Sequence, residues 1–178
     1  MSRIKVKLLA HYTKRLIKTC RVTRSNVGFK QAQTIGILYS IDSPKKQEAV
    51  HWLTTQLNQL GKQVTGLCYV PPSMQVTNVT IPTITYRDIQ LWGAITHPEA
   101  KTFVNTPFDY LYHVDWDGHP VLDYLLAQSK AKCRVGHYAA ARTGLFEMMV
   151  SLAKQPDSSE LTDLTTQMLH YTQLLKAK

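Results

Sequence analysis

The residues best suited to chemistry are Asp115, Asp117 and His119, which flank Gly118 at the predicted end of a strand. Two carboxylates and an imidazole close together can bind a divalent cation or act as an acid and a base. Along a strand, Asp115 and Asp117 would point to the same side, where two unpaired charges would repel each other. The spacing lacks the further oxygen ligands and the closing Glu of an EF-hand loop, so no metal site is predicted. A turn that caps the next helix explains the same residues, and both interpretations stay open.

A second polar pair, Asp42 and Ser43, ends the strand predicted at Thr34–Asp42. The carboxyl ends of parallel strands are where such folds bind ligands, but Ser43 also suits the N-cap of a helix. Neither G-x-G-x-x-G nor G-K-[ST] follows this strand, so no cofactor is predicted. Farther along the chain, His137 and Arg142 could contact an anion at the edge of the sheet or lie in a solvated loop.

The sharpest electrostatic feature is the N-terminal segment. Nine of the 21 lysines and arginines lie in residues 1–30 and the first acidic residue is Asp42, whereas the rest of the chain has twelve basic and twelve acidic residues. Residues 2–22 lack Gly and Pro, and their pattern predicts an amphipathic helix with a cationic stripe that includes His11. The residues that we predict to bind an anionic partner are Arg3, Lys7, Lys14, Arg15, Lys18, Arg21 and Arg24.

Several roles fit a cationic amphipathic helix. RNA or a ribonucleoprotein surface would place phosphates on the stripe, and binding would then weaken steeply with salt. An anionic membrane would instead take up the apolar side chains Leu8, Leu9, Leu16 and Ile17. A basic face that meets only water, or an organelle transit peptide, would have the same composition. We favour a non-enzymatic protein that binds RNA or a ribonucleoprotein.

The elements that position these residues are organised around Thr34–Asp42. This nearly continuous apolar run with β-branched residues is typical of a strand covered on both faces. Ser43-Pro44 then begins a helix whose apolar residues recur every three or four positions up to Gly61. A second strand at 64–70 completes a βαβ unit, which implies a parallel sheet with right-handed crossovers.

The later chain continues the alternation of strands and helices. Capping boxes at Thr96 and at Asp157 predict the starts of two helices. Trp92 is expected to pack as an anchor, and His97 is expected to be exposed. The further strands are predicted around Ile81–Tyr86, Phe108–Trp116, Cys133–Gly136 and Leu145–Leu152, with a helix at Val121–Lys130. The last strand is predicted unless Met148 and Met149 belong to a helix.

These elements predict a three-layer α/β fold, Rossmann- or flavodoxin-like, with a mainly parallel sheet of about five strands and an added basic N-terminal helix. Residues 1–30 would form that helix and a turn, and residues 31–178 a single α/β domain. The chain has 178 residues, 44% of them hydrophobic, which suits one globular core.

The cysteines and the lack of long apolar runs predict the cellular compartment of the protein. Cys20, Cys68 and Cys133 are odd in number and far apart, which favours reduced thiols in the cytoplasm, with Cys68 and Cys133 buried in strands. No apolar run approaches the roughly twenty residues of a membrane span. The N-terminus also lacks the continuous apolar core of a secretory signal.

The motifs T-I-G-I-L-Y, F-D-Y-L-Y-H-V-D, S-K-A-K-C-R-V-G and L-F-E-M-M-V together resemble a family of bacterial domains of unknown function. The resemblance covers roughly residues 14–175 and implies no biochemical activity. Residues 108–136 are also similar to the amino-terminal half of heptosyltransferase-type glycosyltransferases, which implies the fold more than the activity.

The alternative to a binding protein is a small or degenerate enzyme that binds a nucleotide or a sugar in the crevice at the strand ends. Its residues would be Asp42, Asp115, Asp117 and His119.

Overall fold

The computed structural model describes residues 3–20, 22–25, 27–72, 74, 81–152 and 161–176. Short 3-10 helices lie at Tyr86–Asp88 and Ala140–Leu145. In chain order, the helices and strands of these residues are α1 (Arg3–Thr19), β1 (Thr34–Ser40), α2 (Pro44–Gln59), β2 (Gln63–Tyr69), β3 (Thr83–Ile84), α3 (Pro98–Asn105), β4 (Tyr110–Val114), α4 (Pro120–Gln128), β5 (Cys133–His137), β6 (Met148–Val150) and α5 (Leu161–Gln173).

The strands form one sheet in the order β3-β2-β1-β4-β5-β6, and every neighbouring pair is parallel. The first strand, β1, lies in the middle of the sheet, and β2 and β3 follow it toward one edge. The chain then returns to the other side of β1, where β4, β5 and β6 follow toward the opposite edge. The direction of winding therefore reverses between β1 and β4, and this switch point is where open α/β sheets bind ligands. The predicted Rossmann-like α/β fold is confirmed, with six strands instead of about five.

The central strand β1 is buried almost throughout, as its apolar run predicts. Ile35, Ile37 and Leu38 are each at most 1% exposed. The strand pairs with β2 on one side and with β4 on the other, so its backbone groups are satisfied in both directions. A strand that is covered on both faces and paired on both edges can expose side chains only at its ends.

Helix α2 begins at the predicted signal. The Ser43 hydroxyl accepts a hydrogen bond from the Lys46 amide at 3.3 Å, and Pro44 is the first helical residue. Gly61 follows the helix with a φ of 72°, the left-handed conformation that favours glycine. The Ser43 cap thus determines where α2 begins after β1, and Gly61 determines where it ends before β2.

Two hydrophobic cores cover the two faces of the sheet. One core joins Leu9 of α1 to buried residues of α3 and α4, among them Phe103 and Leu125. The other joins residues of α2 and α5, such as Leu53 and Leu164, to the opposite face. The result is three layers, with α1 packed against α4.

Several predicted boundaries are wrong. Helix α1 ends at Thr19 instead of residue 22. Thr96 does not cap α3, because its hydroxyl donates to the Asp88 carbonyl at 2.9 Å, and His97 occupies the N-cap without a side-chain hydrogen bond. The segment predicted as a strand at Leu145–Leu152 contains only the three residues of β6. The capping box predicted at Asp157 lies outside the described residues.

The predicted environment of the strand cysteines is confirmed. Cys68 and Cys133 are free and buried, and Cys20 is free and exposed. Burial raises the pKa of the Cys68 and Cys133 thiols to about 12, so both thiols are poor nucleophiles. No helix in the described parts of the chain is both long enough and apolar enough to span a bilayer.

Candidate functional site

A charged cluster occupies the carboxyl edge of the sheet at the switch point. Ser40 is the last residue of β1, Asp115 directly follows β4, and Lys46 lies in the first turn of α2. The Lys46 ammonium binds the carboxylates of both Asp42 and Asp115 and donates to the Ser40 hydroxyl at 3.0 Å. We call Ser40, Asp42, Lys46 and Asp115 the strand-end cluster.

Asp115 is the most constrained member of this cluster. It is 5% exposed, and its carboxylate accepts hydrogen bonds from the Ser40 amide and from the Ser40 hydroxyl, each at 2.9 Å. Burial raises the pKa of the Asp115 carboxyl, while Lys46 and the two Ser40 groups act in the opposite direction. The predicted repulsion between two unpaired carboxylates is wrong, because Asp115 is paired with Lys46 and Asp117 is exposed.

Lys46 was not predicted as a site residue. Its signal in the sequence is the spacing of four residues after Asp42, which places the two side chains on the same face at the start of a helix. The spacing alone does not show that the Lys46 side chain turns inward to Asp115, which is 69 positions away in the chain. That contact depends on the neighbouring positions of β1 and β4.

A second group of buried polar side chains lies beside the cluster, at the same edge of the sheet. His113 of β4 is fully buried, and its ring lies 5.7 Å from the Phe146 ring. The Arg142 guanidinium lies 5.2 Å from the centre of the same Phe146 ring. Burial lowers the pKa of His113 well below its usual value, and the positive charges of Arg142 and Lys46 lower it further.

Arg142 is paired inward. The Arg142 Nη2 donates to Asp123 of α4 at 2.6 Å, and the side chain is buried. The interpretation that Arg142 lies in a solvated loop is therefore wrong. A side chain at Gly118 would meet the Arg142 Nε at 3.1 Å, so glycine lets the guanidinium lie close to the start of α4. Burial raises the pKa of the Asp123 carboxyl, although the Arg142 charge opposes this effect.

His119 has a structural role. Its Nδ1 accepts a hydrogen bond from the Val121 amide at 3.2 Å and thereby caps α4. Its ring packs on Tyr69 at 4.3 Å, and burial lowers the pKa of His119 to about 4. The structure therefore brings Asp42 and Asp115 together but leaves Asp117 and His119 outside that network.

Unpartnered polar atoms are concentrated at this edge of the sheet. Among the described residues, seven buried side-chain nitrogen and oxygen atoms have no hydrogen-bond partner, and six of them belong to four residues at the strand ends. Buried polar atoms normally have partners, so water or a small polar molecule would complete this edge. No group of three or more potential metal ligands occurs within the parts of the chain described. The four residues are Tyr69, His113, Trp116 and Arg142.

The second candidate region is the outward side of α1. Leu9 and Thr13 face the body of the protein, and the opposite side of the helix is exposed. Within the described residues, the basic side chains of this side form no ion pair. We call it the basic face; its exposed residues are Lys7, His11, Lys14, Arg15 and Lys18.

The remaining residues of the predicted anion site are placed differently. Arg3 begins α1, and Arg21 lies outside the described residues. Arg24 turns inward, where it donates to the Ala131 carbonyl and lies 3.8 Å from Glu147. Burial accordingly lowers the pKa of Arg24. Arg24 therefore ties the segment after α1 to the sheet and does not extend the basic face.

A turn beside the basic face presents two apolar side chains to solvent. Trp92 is 68% exposed and Leu91 is 51% exposed, so the expected packing role of Trp92 is wrong. The turn is closed by hydrogen bonds between Gln90 and Ala94 and between Gly93 and Gln90. Sequence reasoning missed this feature because a tryptophan is buried more often than not, and only the fold shows that the described residues leave it exposed.

Comparison with known proteins gives one result. Residues 5–175 match the model of a family described as "Family of unknown function (DUF6913)". Neither the curated proteins nor the solved structures include a significant match to the chain.

Proposed function

The chain belongs to the DUF6913 family of unknown function. We propose, from the charge of its first helix, that it binds RNA, free or in a ribonucleoprotein, through the basic face of α1. The observation that carries this proposal is a helix side with four exposed Lys and Arg residues and no acidic residue before Asp42. The cations lie along about three turns of one helix, a row that can follow a phosphate backbone.

The packing of α1 favours a polyanion in solution over a membrane. Leu9 is fully buried, and Leu8 and Leu16 are half-buried, so most of the apolar side that a bilayer would take up already contacts the protein. Ile4 and Ile17 are exposed, but neither is accompanied by a wider apolar stripe on α1. A membrane-binding helix would need that stripe to be available.

The like charges on α1 also favour a bound anion. Lys14 and Lys18 are four residues apart, and such a pair destabilises a helix by about 0.2–0.5 kcal/mol. A phosphate bound between them removes this repulsion. Binding and helix stability should therefore increase together.

The test is the affinity for a fluorescently labelled single-stranded RNA, measured by anisotropy at about 100 mM salt. We expect the Lys7→Gln/Lys14→Gln/Lys18→Gln variant to bind at least tenfold more weakly than wild type. The matched control is Lys30→Gln/Lys101→Gln/Lys130→Gln, which removes the same charge from exposed positions outside α1 and should bind nearly as wild type. Equal losses in both variants would show that only net charge matters and would contradict the proposal.

A second candidate function is supported by the unpartnered polar atoms at the strand ends. A small enzyme or sensor that binds a nucleotide or a sugar at the switch point would use them. A ligand or metal that fits should raise the melting temperature of wild type and of Asp117→Asn, but not of Asp115→Asn. If a broad panel produces no shift in the wild-type protein, this second candidate is excluded.

A further inference from the structure

The turn at Gln90–Ala94 is attached to the protein at its base although its tip is exposed. The Tyr124 hydroxyl of α4 donates to the Gly93 carbonyl, and Ile89 and Ile95 form an antiparallel bridge at the base of the turn. Gly93 has a φ of 85°, and a Cβ there would lie 2.5 Å from the Tyr124 hydroxyl oxygen. Only glycine therefore allows this turn to lie so close to α4.

The turn lies next to α1. The position of a Cβ on Gly93 is 3.5 Å from the Tyr12 ring, and the Tyr12 ring is 5.9 Å from the ring of His11, which belongs to the basic face. Lys5 of α1 also donates to the Tyr86 carbonyl at the start of the same segment. A continuous series of contacts thus joins the basic face to the residue that follows Trp92.

An exposed cation lies in the same segment as the turn. Arg87 is exposed, and its guanidinium lies 5.9 Å from the centre of the Tyr86 ring. Asp88 is the acidic residue of this segment, and its carboxylate is used locally, since it accepts from the Thr85 amide at 2.7 Å and from the Thr85 hydroxyl at 2.9 Å. An anionic ligand on α1 would therefore find a further cation and an exposed indole on the same flank.

We propose that Trp92 stacks on a base of the RNA bound to the basic face, so that the protein binds single-stranded RNA in preference to duplex. This inference rests on the proposed RNA binding. An exposed aromatic ring next to a basic track is how proteins hold single strands, because each base offers a stacking face while its phosphate meets a cation. A duplex keeps its bases stacked inside, where Trp92 cannot reach them.

The contacts that hold the turn make Trp92 a good stacking partner. An anchored turn loses little conformational freedom when a base packs on the indole, so less of the contact energy is spent on ordering the turn. Leu91 is exposed on the same turn but has no π face, and it provides an internal comparison.

The test compares three RNA ligands of equal length: a single strand, its duplex and an abasic strand. Alanine at a stacking position weakens single-strand binding by about 5- to 150-fold, and we expect this loss for Trp92→Ala. Trp92→Phe should keep most of the affinity because it keeps a ring. Leu91→Ala should bind as wild type. Wild type should bind the abasic strand as weakly as Trp92→Ala binds the intact strand.

A direct readout is the tryptophan emission that wild type has and Trp92→Phe lacks. Single-stranded RNA should quench this component. If Trp92→Ala binds single strands as wild type while the triple lysine variant of α1 does not, the stacking role is wrong and RNA binding stands. If no RNA binds at all, the proposed function itself fails.

The remaining measurement is the Trp92 emission in the presence of anionic vesicles. A blue shift of the Trp92 emission with vesicles, without quenching by RNA, would show that the turn inserts into a lipid surface and would overturn both proposals.

Discussion

The basic face of α1 and the strand-end cluster both contain lysine side chains, but those of the basic face are exposed and that of the cluster is buried. On α1, Lys7, Lys14 and Lys18 are exposed and form no ion pair within the described structure. At the strand ends, Lys46 is buried and binds two carboxylates. A buried charge must be compensated inside the protein, whereas an exposed charge is compensated by water and salt.

This difference separates stability from recognition. Removing the Lys46 charge leaves the Asp115 carboxylate buried without its cation, so the folded state should be destabilised. Removing a charge from the basic face changes the stability of the folded protein only slightly, so its main effect should appear when an anionic partner is present. The same type of residue can therefore be assigned to folding or to binding by the kind of measurement that responds to it.

The largest expected effect is on stability. Lys46→Met leaves the Asp115 carboxylate buried and unpaired, which should destabilise the protein by about 3–5 kcal/mol. Lys14→Met on the basic face should change stability by less than about 0.5 kcal/mol. Urea unfolding measures both. In the double variant Lys46→Met/Asp115→Asn the buried charge is absent and Asn still accepts from Ser40, so much of the loss should be recovered. Equal stability of Lys46→Met and Lys14→Met would remove the distinction between the two regions.

The next effect is the response of the strand ends to pH. His113 is neutral in the folded protein because its pKa is lowered, while the unfolded chain takes up a proton below a pH of about 6.5. The contribution of His113 to stability should therefore be fully present above that pH and should fall on acidification, by at most about 2 kcal/mol between pH 7 and pH 5. His119, with a lowered pKa, acts in the same direction, and Asp115 and Asp123, with raised pKa values, act in the opposite one.

The histidine contribution is isolated by comparing variants. Since neither ring nitrogen of His113 has a hydrogen-bond partner among the described residues, His113→Leu should fold and should lose less stability between pH 7 and pH 5 than wild type. His51→Leu, at an exposed position of α2, should keep the wild-type pH dependence. An unchanged pH dependence in His113→Leu would show that His113 is not the buried neutral group described above.

The smallest effect is that of salt on the free protein. Screening should relieve the repulsion on α1, so raising chloride from about 50 to 500 mM should stabilise wild type by a few tenths of a kcal/mol. Lys14→Gln should reduce this gain, and Lys101→Gln on α3 should leave it unchanged. Thermal unfolding at matched pH detects the difference. A larger salt response in Lys14→Gln than in wild type would be inconsistent with repulsion on the basic face.

Much of the fold follows from local patterns. The apolar run of β1, the Ser43 cap with Pro44, and Gly61 after α2 have local physical causes, and each is where the sequence predicts it. Thr96 fails as a cap because its hydroxyl has a better-placed partner, the Asp88 carbonyl, which is near only in the folded chain. Short elements such as β3 depend on neighbouring strands more than on their own residues.

The candidate site was predictable in part. The cationic stripe of α1 follows from helical spacing, and the exposed Lys and Arg residues lie where that spacing places them. The partners of Asp115 could not be predicted in this way. The sequence pattern predicts where β1 and β4 end, but it does not predict that the Lys46 side chain reaches Asp115. Trp92 shows the same limit, because exposure depends on what the rest of the fold leaves uncovered.

The central claim is that the basic face binds RNA phosphates, and the most direct test is the salt dependence of that binding. The logarithm of the binding constant for single-stranded RNA should fall linearly with the logarithm of salt concentration, with a slope of about −0.7 for each phosphate contacted. The Lys7→Gln/Lys14→Gln/Lys18→Gln variant should have a slope less negative by about 2, and the charge-matched control outside α1 should keep the wild-type slope. Binding that does not change between about 50 and 200 mM salt, or identical slopes in all three proteins, would contradict the claim.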